Sequence, residues 1–320
     1  MSKPLISFVV FSYNQEEYIC DAIESAFAQD YESLEIILSD DCSPDGTYKV
    51  MKDFAESYSG AHQVRLLDPL KKNIGLIPHL NRVFAEAKGE WIVLCAGDDA
   101  ATPQRCSEIM QQARESKVTK GIFSGYVDCN ETMEPGQEVL PLQTSPMSAW
   151  GVCRNGGYVF PGATFAMHRE CVDLFGPLDE QLRAEDWVLP LRAAVIGQLA
   201  FLPKALVSKR NLPESLTKVN KSLNVSFFAK VLNPSVRRVN QLTLKTARKN
   251  ALISIPSQWI MSLMLWFHSN VQFCHVAAQR ASVGAILVGL LSSLVLLRKQ
   301  DASELVGKLW RKGFARNASE

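Results

Sequence analysis

The chain has 320 residues, a formal net charge of +1, 47% hydrophobic and 21% charged residues, which supports a large buried core and excludes a disordered or low-complexity protein. The near-neutral total hides two unlike regions: residues 1–220 carry 20 Lys and Arg against 30 Asp and Glu, whereas residues 221–320 carry 14 against 3. The second region is therefore expected to face something negatively charged.

Leu5–Phe11 is short, apolar and β-branched, the pattern of a strand buried on both faces of a parallel sheet. After the polar break Ser12-Tyr13-Asn14, the residues Tyr18, Ile19, Ala22, Ile23, Ala26 and Phe27 recur at helical spacing. A second strand, Leu34–Leu38, ends in the turn formers Ser39 to Gly46 and leads into a helix over about 47–58. Val64–Leu67, Ile77–Ala87 and Trp91–Cys95 read as strand, helix and buried strand. Successive βα units predict an α/β domain with a mostly parallel sheet flanked by helices.

Further along, strands at Gly121–Val127 and Thr164–His168 flank a stretch containing Pro and Gly, and Leu182–Gly197 reads as a loop entering a helix. Beyond Pro213 the chain reads as helical, at Phe227–Leu232 and Val236–Leu252, followed by two uncharged stretches, Asn250–Gln279 and Ala281–Leu297. The eight cysteines show no CxxC spacing and are expected to be free thiols of a reducing compartment. No signal-peptide pattern is read at the first residues, which makes the cytoplasm the expected location.

Ligands of open α/β sheets lie beyond the carboxyl ends of the strands. Here those ends carry Ser12-Tyr13-Asn14, Asp40-Asp41 and Gly97-Asp98-Asp99, with neither a GxGxxG nor a GxxxxGK[ST] loop, so dinucleotide and phosphate-loop readings lose support. Asp98 and Asp99 precede a helix that Thr102 can cap, with Pro103 in its first turn. Two hard carboxylates there suit Mg²⁺ or Mn²⁺ held jointly with a diphosphate, or else they solvate a turn. Asp40-Asp41 offers an acceptor for a base or ribose, or a turn completed by Asp45-Gly46. Asp186, in Glu185-Asp186-Trp187 ahead of an apolar helical run, is either a helix N-cap or a general base. His168 reads as a packed core histidine, and Trp150 and Trp187 as cleft walls or sugar-stacking rings.

Taken together, these pieces resemble the inverting family-2 nucleotide-sugar glycosyltransferases of GT-A fold. The resemblance covers residues 5–216 and rests on Ile6 to Asn14, Glu35 to Thr47, Asn73-Ile-Gly75 with Asn81, Gly89 to Asp99, Phe175 to Glu180, and Glu185 to Arg192 ahead of Gly197. It implies a Rossmann-like catalytic domain over 1–216 and a basic, apolar helical region over 217–320. By position, it implies that Phe11, Ser12, Tyr13, Asp40, Asp41 and Asn73 bind the donor nucleotide. Asp98 and Asp99 would hold Mn²⁺ or Mg²⁺ with the diphosphate, and Arg210 would clamp that diphosphate. Asp186 would be the catalytic base, with Glu185 and Trp187 toward the acceptor. Ala96, Leu80 and Leu212 stand where the family often has an acid, an Arg and a His.

The expected donor is a nucleotide sugar, UDP-linked by preference, and the expected acceptor a saccharide, plausibly lipid-linked, of a bacterial surface polysaccharide. A non-catalytic nucleotide-sugar-binding or scaffolding protein is the alternative. A 17-residue helix over 281–297 rises about 25 Å against a hydrocarbon core of about 30 Å, a borderline span. Interfacial attachment at the cytoplasmic face of the membrane fits the basic balance better. Nucleic acid is disfavoured, because the basic residues alternate with apolar runs rather than with aromatic stacking positions.

Overall fold

The computed structural model describes residues 3–182, 184–213 and 233–278. The chain begins with β1 (Ile6–Ser12), α1 (Ile19–Phe27), β2 (Leu34–Asp40), α2 (Thr47–Ser57), β3 (Gln63–Leu66), α3 (Leu76–Glu86) and β4 (Trp91–Ala96). It continues with β5 (Ala100–Ala101), α4 (Arg105–Glu115), β6 (Thr119–Cys129), β7 (Pro135–Val139), α5 (Ala149–Arg154), β8 (Phe165–His168) and α6 (Glu170–Asp173). It ends with α7 (Leu189–Ile196), β9 (Gln198–Arg210), α8 (Asn233–Lys249) and α9 (Ile255–Ala278).

The nine strands form one sheet in the order β3-β2-β1-β4-β8-β6-β9-β5, with β7 on β6. The first four are parallel, and antiparallel pairing enters where β8 meets β4. Strand alternation sends Phe8, Val10, Ile36, Leu38, Val93 and Cys95 to one face, where α1, α2 and α4 pack. Val9, Ile37, Ile92 and Leu94 go to the other face, under α3, α5 and α7. Because α3 lies on the opposite face from α1 and α2, the chain returns past β1 and deposits β4 on its far side. A crevice opens where the strand order reverses, at the carboxyl ends of β1 and β4.

The parallel half matches the sequence reading closely. The second half departs from it, at three places that bear on the site. β9 is a strand of 13 residues that was not anticipated, because Pro203-Lys204 breaks its apolar pattern; the register on β6 slips there, from Phe123↔Phe201 to Gly125↔Ala205, and the bulge accommodates a residue with no backbone donor. Thr102 does not cap a helix: the short β5 pairs with β9 and keeps the chain extended, so α4 starts at Arg105 and the Thr102 hydroxyl finds no partner. Asp186 lies in a 3-10 turn, Glu185–Trp187, and makes no cap bond to α7, which removes the capping alternative.

The two final helices dock on the face that carries α5 and α7. Val236, Val239, Leu244 and Ala247 of α8, with Met261 and Leu265 of α9, join that core. Among the described residues no helix is long and apolar enough to cross a membrane. The stretches 227–232 and 281–297 lie outside the described residues. The seven cysteines from Cys20 to Cys171 are free thiols.

Candidate active site

The crevice is built by three turns tied to β1. The Asp41 N–H donates to the Ser12 carbonyl and the Gly97 N–H to the Phe11 carbonyl, both at 2.9 Å. Gly97 is required for this approach, because a β-carbon there would lie 2.7 Å from Ser12 Cβ and 2.6 Å from Gln15 Oε1. Phe11 meets His79 edge-on, Ser12 is buried with its hydroxyl unpartnered among the described residues, and Tyr13 and Asn73 are exposed at the rim. His79 is held neutral: burial first, then Arg82, pushes its pKa down to about 4, and its Nε2 lies 2.7 Å from Ser39 Oγ.

Asp40 and Asp41 are taken up by backbone. Asp40 accepts the Ser43 N–H at 2.8 Å and the Ser43 hydroxyl, closing its own turn. Each oxygen of Asp41 accepts one N–H, from Ile74 at 2.9 Å and Gly75 at 2.8 Å, the latter presented by a residue with φ +86°. Burial raises the Asp41 carboxyl, and these two bonds oppose it.

Asp98 and Asp99 are crowded instead. Asp99 is buried and accepts the Arg210 N–H at 3.0 Å; burial, then repulsion from Asp98, pushes it up to about 7. Asp98 is half-buried and is also raised by burial. Neither carboxylate forms an ion pair with a Lys or Arg among the described residues. No group of three or more His, Cys, Asp or Glu able to hold a metal exists among the described residues. Two adjacent, unneutralised acids nevertheless suit a hard cation that completes its shell with substrate oxygens, as Mg²⁺ and Mn²⁺ do.

Arg210 is engaged with the protein itself. Its side chain is almost fully buried, with Nε donating to the Asp98 carbonyl at 3.0 Å, Nη1 to the Glu131 carbonyl and Nη2 to Asp21, and its guanidinium 4.8 Å from the Tyr18 ring centroid. It locks the Asp98-Asp99 turn between α1 and β9.

The segment 175–178 and the turn bearing Glu185, Asp186 and Trp187 are anchored separately. Asn81 exchanges bonds with the Leu178 backbone at 2.8 and 2.7 Å, and Arg192 donates to the Gly176 carbonyl at 2.6 Å while lying 5.6 Å from the Phe175 ring centroid. Asn240 of α8 donates to the Trp187 carbonyl at 3.0 Å. Burial raises the Asp186 carboxyl well above the usual range and the adjacent Glu185 adds to it; Glu185 is raised by burial too. Tyr158 lies beside this turn, its ring 5.3 Å from Trp187, its hydroxyl pushed up to about 12 by burial and by Asp186.

Arg105 is the residue that sequence reading missed. It is fully buried, donating from Nη1 to the Leu94 carbonyl at 3.0 Å and from Nη2 to the Ala163 carbonyl at 2.9 Å. The neighbouring Gly162 sits against the acids: a β-carbon there would lie 3.0 Å from Asp186 Cβ and 3.2 Å from Glu185 Oε1. One guanidinium therefore joins the strand leading to Asp98-Asp99 to the turn that supports Asp186. A cation in the first turn of a helix opposes the helix dipole, and that local inconsistency was its one signal in the sequence. Trp150 stands exposed on α5. His168 is far from this constellation in the sheet, half-buried at the opposite end of β4, edge-on to Trp91 and beside Lys120, Glu90 and Glu170.

The chain is similar to known proteins. EpsE of Bacillus subtilis (strain 168), named as a glycosyltransferase, is 30% identical over 145 residues, 45% of this chain and 51% of its own. The succinoglycan biosynthesis protein ExoO of Rhizobium meliloti (strain 1021) is 34% identical over 110 residues, 34% of this chain and 30% of its own. The chain thus spans about half, or less, of the length of these relatives. Among solved structures, S. aureus TarS 1–349 in complex with UDP-GlcNAc superposes with a TM-score of 0.61 at 16% identity, covering 97% of this chain and 92% of that one. The mannosyltransferase PcManGT from Pyrobaculum calidifontis, in complex with GDP-Man and Mn2+, gives 0.54 at 15% identity over 97% and 85%. These likenesses carry the fold, a GT-A α/β sheet followed by helices. With the Glycosyl transferase family 2 profile matching residues 7–173, more than half of the sequence, the chain belongs to Glycosyl transferase family 2.

Proposed function

We propose that the chain is an inverting, metal-dependent sugar transferase of bacterial surface polysaccharide synthesis. It takes a nucleotide-diphosphate sugar, a UDP-sugar by preference, and glycosylates a hydroxyl of a saccharide acceptor, lipid-linked at the cytoplasmic face of a membrane. Family membership, the succinoglycan role named for ExoO and the UDP-GlcNAc named for TarS support this reading. The observation that carries it is two pairs of adjacent acids raised by burial, Asp98-Asp99 and Glu185-Asp186, on two turns joined through Arg105.

In this mechanism Phe11, Ser12, Tyr13, Asp41 and Asn73 line the nucleotide, while Asp40 keeps the Asp41 turn in shape. Asp98 and Asp99 would hold Mn²⁺ or Mg²⁺, which would supply positive charge against the departing diphosphate. Arg210 fixes the turn that carries them. Glu185, Trp187 and Tyr158 shape the acceptor side. The Asp186 carboxylate takes the proton of the acceptor hydroxyl; that oxygen bonds to the anomeric carbon from the face opposite the diphosphate, and the bond from that carbon to the diphosphate oxygen breaks. Glu185 raises the basicity of Asp186, since each negative charge disfavours the other. A carboxylate whose pKa is raised is the stronger base and accepts a proton more readily.

The test is a panel of nucleotide sugars incubated with the full chain, a divalent metal and membrane extract, followed by detection of released nucleoside diphosphate. Release with one donor, dependent on acceptor, is expected. No release with any donor, where the same extract supports another family member, would contradict the reading.

A further inference from the structure

We propose that the helical hairpin of α8 and α9 is a docking surface for an anionic phospholipid bilayer, lying in the membrane interface rather than crossing it. This deepens the membrane-face reading above and rests on it.

α9 is apolar on opposite sides. Met261 and Leu265 are buried in the domain core, while Trp259 is 71% exposed, Ile255 55% and Leu263 50%. Positions 255, 259 and 263 repeat every four residues, so the three side chains form one outward stripe. Leu242 of α8 is exposed as well. A helix apolar on both sides needs a second apolar environment, and 24 residues of α9 do not qualify as a span.

Charge identifies that environment. α8 buries Val236, Val239, Thr243, Leu244 and Ala247 on its inner face and exposes Lys245, Arg248 and Lys249. Between Glu214 and Asp301 the sequence contains no Asp or Glu, so these cations lack acidic partners on either helix. Among the described residues of the hairpin, Arg238 pairs with an acid, Asp179 of the catalytic body. A cavity of about 640 Å³ opens between Lys245, Arg248 and Lys249 on one side and Gln258, Trp259 and Ser262 on the other. Apolar side chains with an indole at the level of basic groups match the layering of acyl chain and anionic headgroup. A second copy fits poorly, because two-fold pairing would bring the same cations together. Residues 279–320 carry seven Lys and Arg against three Asp and Glu and do not supply the missing negative charge.

The test uses the full chain with phosphatidylcholine vesicles, with and without phosphatidylglycerol, in a sedimentation assay. Binding is expected with phosphatidylglycerol and not without it. Lys245→Gln with Lys249→Gln should weaken it about fivefold per cation removed, and Trp259→Ser about tenfold, as for the loss of one apolar anchor. The emission difference between the unaltered chain and Trp259→Phe should shift to shorter wavelength on vesicles. Unchanged binding in both variants, equal binding to neutral vesicles, or a Trp259 already shielded from acrylamide without vesicles would overturn the proposal. So would a dimer that Trp259→Ser dissociates, or capture of a soluble acidic polysaccharide, if vesicles are not bound. Nucleoside diphosphate release toward a water-soluble saccharide, run in parallel, should be unaltered in these variants; its absence would count against the transferase reading and leave the vesicle result standing.

Discussion

The turn after β2 and the turn before α7 each carry two adjacent acids, and they are used in opposite ways. At Asp40-Asp41 the carboxylate oxygens accept backbone N–H groups or a serine hydroxyl, so the charge is met by the chain's own turns. At Glu185-Asp186 no other described residue donates a hydrogen bond or forms an ion pair with the carboxylates, burial raises both carboxyls, and the pair is held in place through its surroundings rather than by its own oxygens. Asp98-Asp99 lies between these extremes: Asp99 accepts the Arg210 N–H, and the Gln15 side chain, Lys209 and Arg210 only partly oppose the burial that raises Asp98. An acid pair whose oxygens are met by backbone N–H groups and a hydroxyl builds structure; an acid pair crowded and raised by burial stores a preference for a proton or a cation.

That contrast can be broken or sharpened by experiment. The largest effect is expected at Asp98-Asp99: chelation should abolish transfer and Mn²⁺ or Mg²⁺ restore it, and Asp98→Asn should lower kcat by about two or more orders of magnitude, as removal of a group stabilising transition-state charge does. Indifference to the chelator would place this pair with Asp40-Asp41. Next is Arg105→Met, which leaves the Leu94 and Ala163 carbonyls without their buried donor at a cost of about 1–3 kcal/mol each. Its Tm should fall, and kcat should fall more than donor affinity, because the support of the Asp186 turn loosens; Arg105→Lys should recover part of both. An Arg105→Met chain with unaltered kcat would remove the bridge between the two turns.

The smallest effect is on stability. Glu185 and Asp186 keep their protons to higher pH folded than unfolded, so the folded state binds more protons in the window between the ordinary carboxyl value and the raised one. Stability from this pair is therefore lost as pH rises through that window. Asp186→Asn should melt higher than the unaltered chain near neutrality, and the gap should close on acidification below about pH 3, beneath the ordinary carboxyl values, where both carboxyls are protonated in either state. A gap independent of pH would show that the pair is not strained.

The sequence made the parallel half legible because each apolar run there is buried on both faces and ends at a turn. Its four strands and three helices fall within a residue or two of their expected limits. It also placed Asp98-Asp99 and Asp186 near the mouth of the sheet, since strand ends and helix entrances are local features. β7 escaped notice because it is a mostly exposed edge strand, Pro-Gly-Gln-Glu-Val, without apolar alternation. The duties of Arg105 and Arg210 were illegible for another reason: their partners lie 58 and 189 residues away along the chain, at Ala163 and Asp21, and no local pattern records such a contact.

The central claim is that Asp186 is the base and not a structural acid. It is tested most directly by comparing the unaltered chain with Asp186→Asn at saturating donor, divalent metal and acceptor, measuring nucleoside diphosphate release in a single turnover and donor affinity in the same preparation. The account predicts a fall in release of about 10²–10⁴-fold with donor affinity retained. Release unchanged in Asp186→Asn, with the donor still bound, would contradict it.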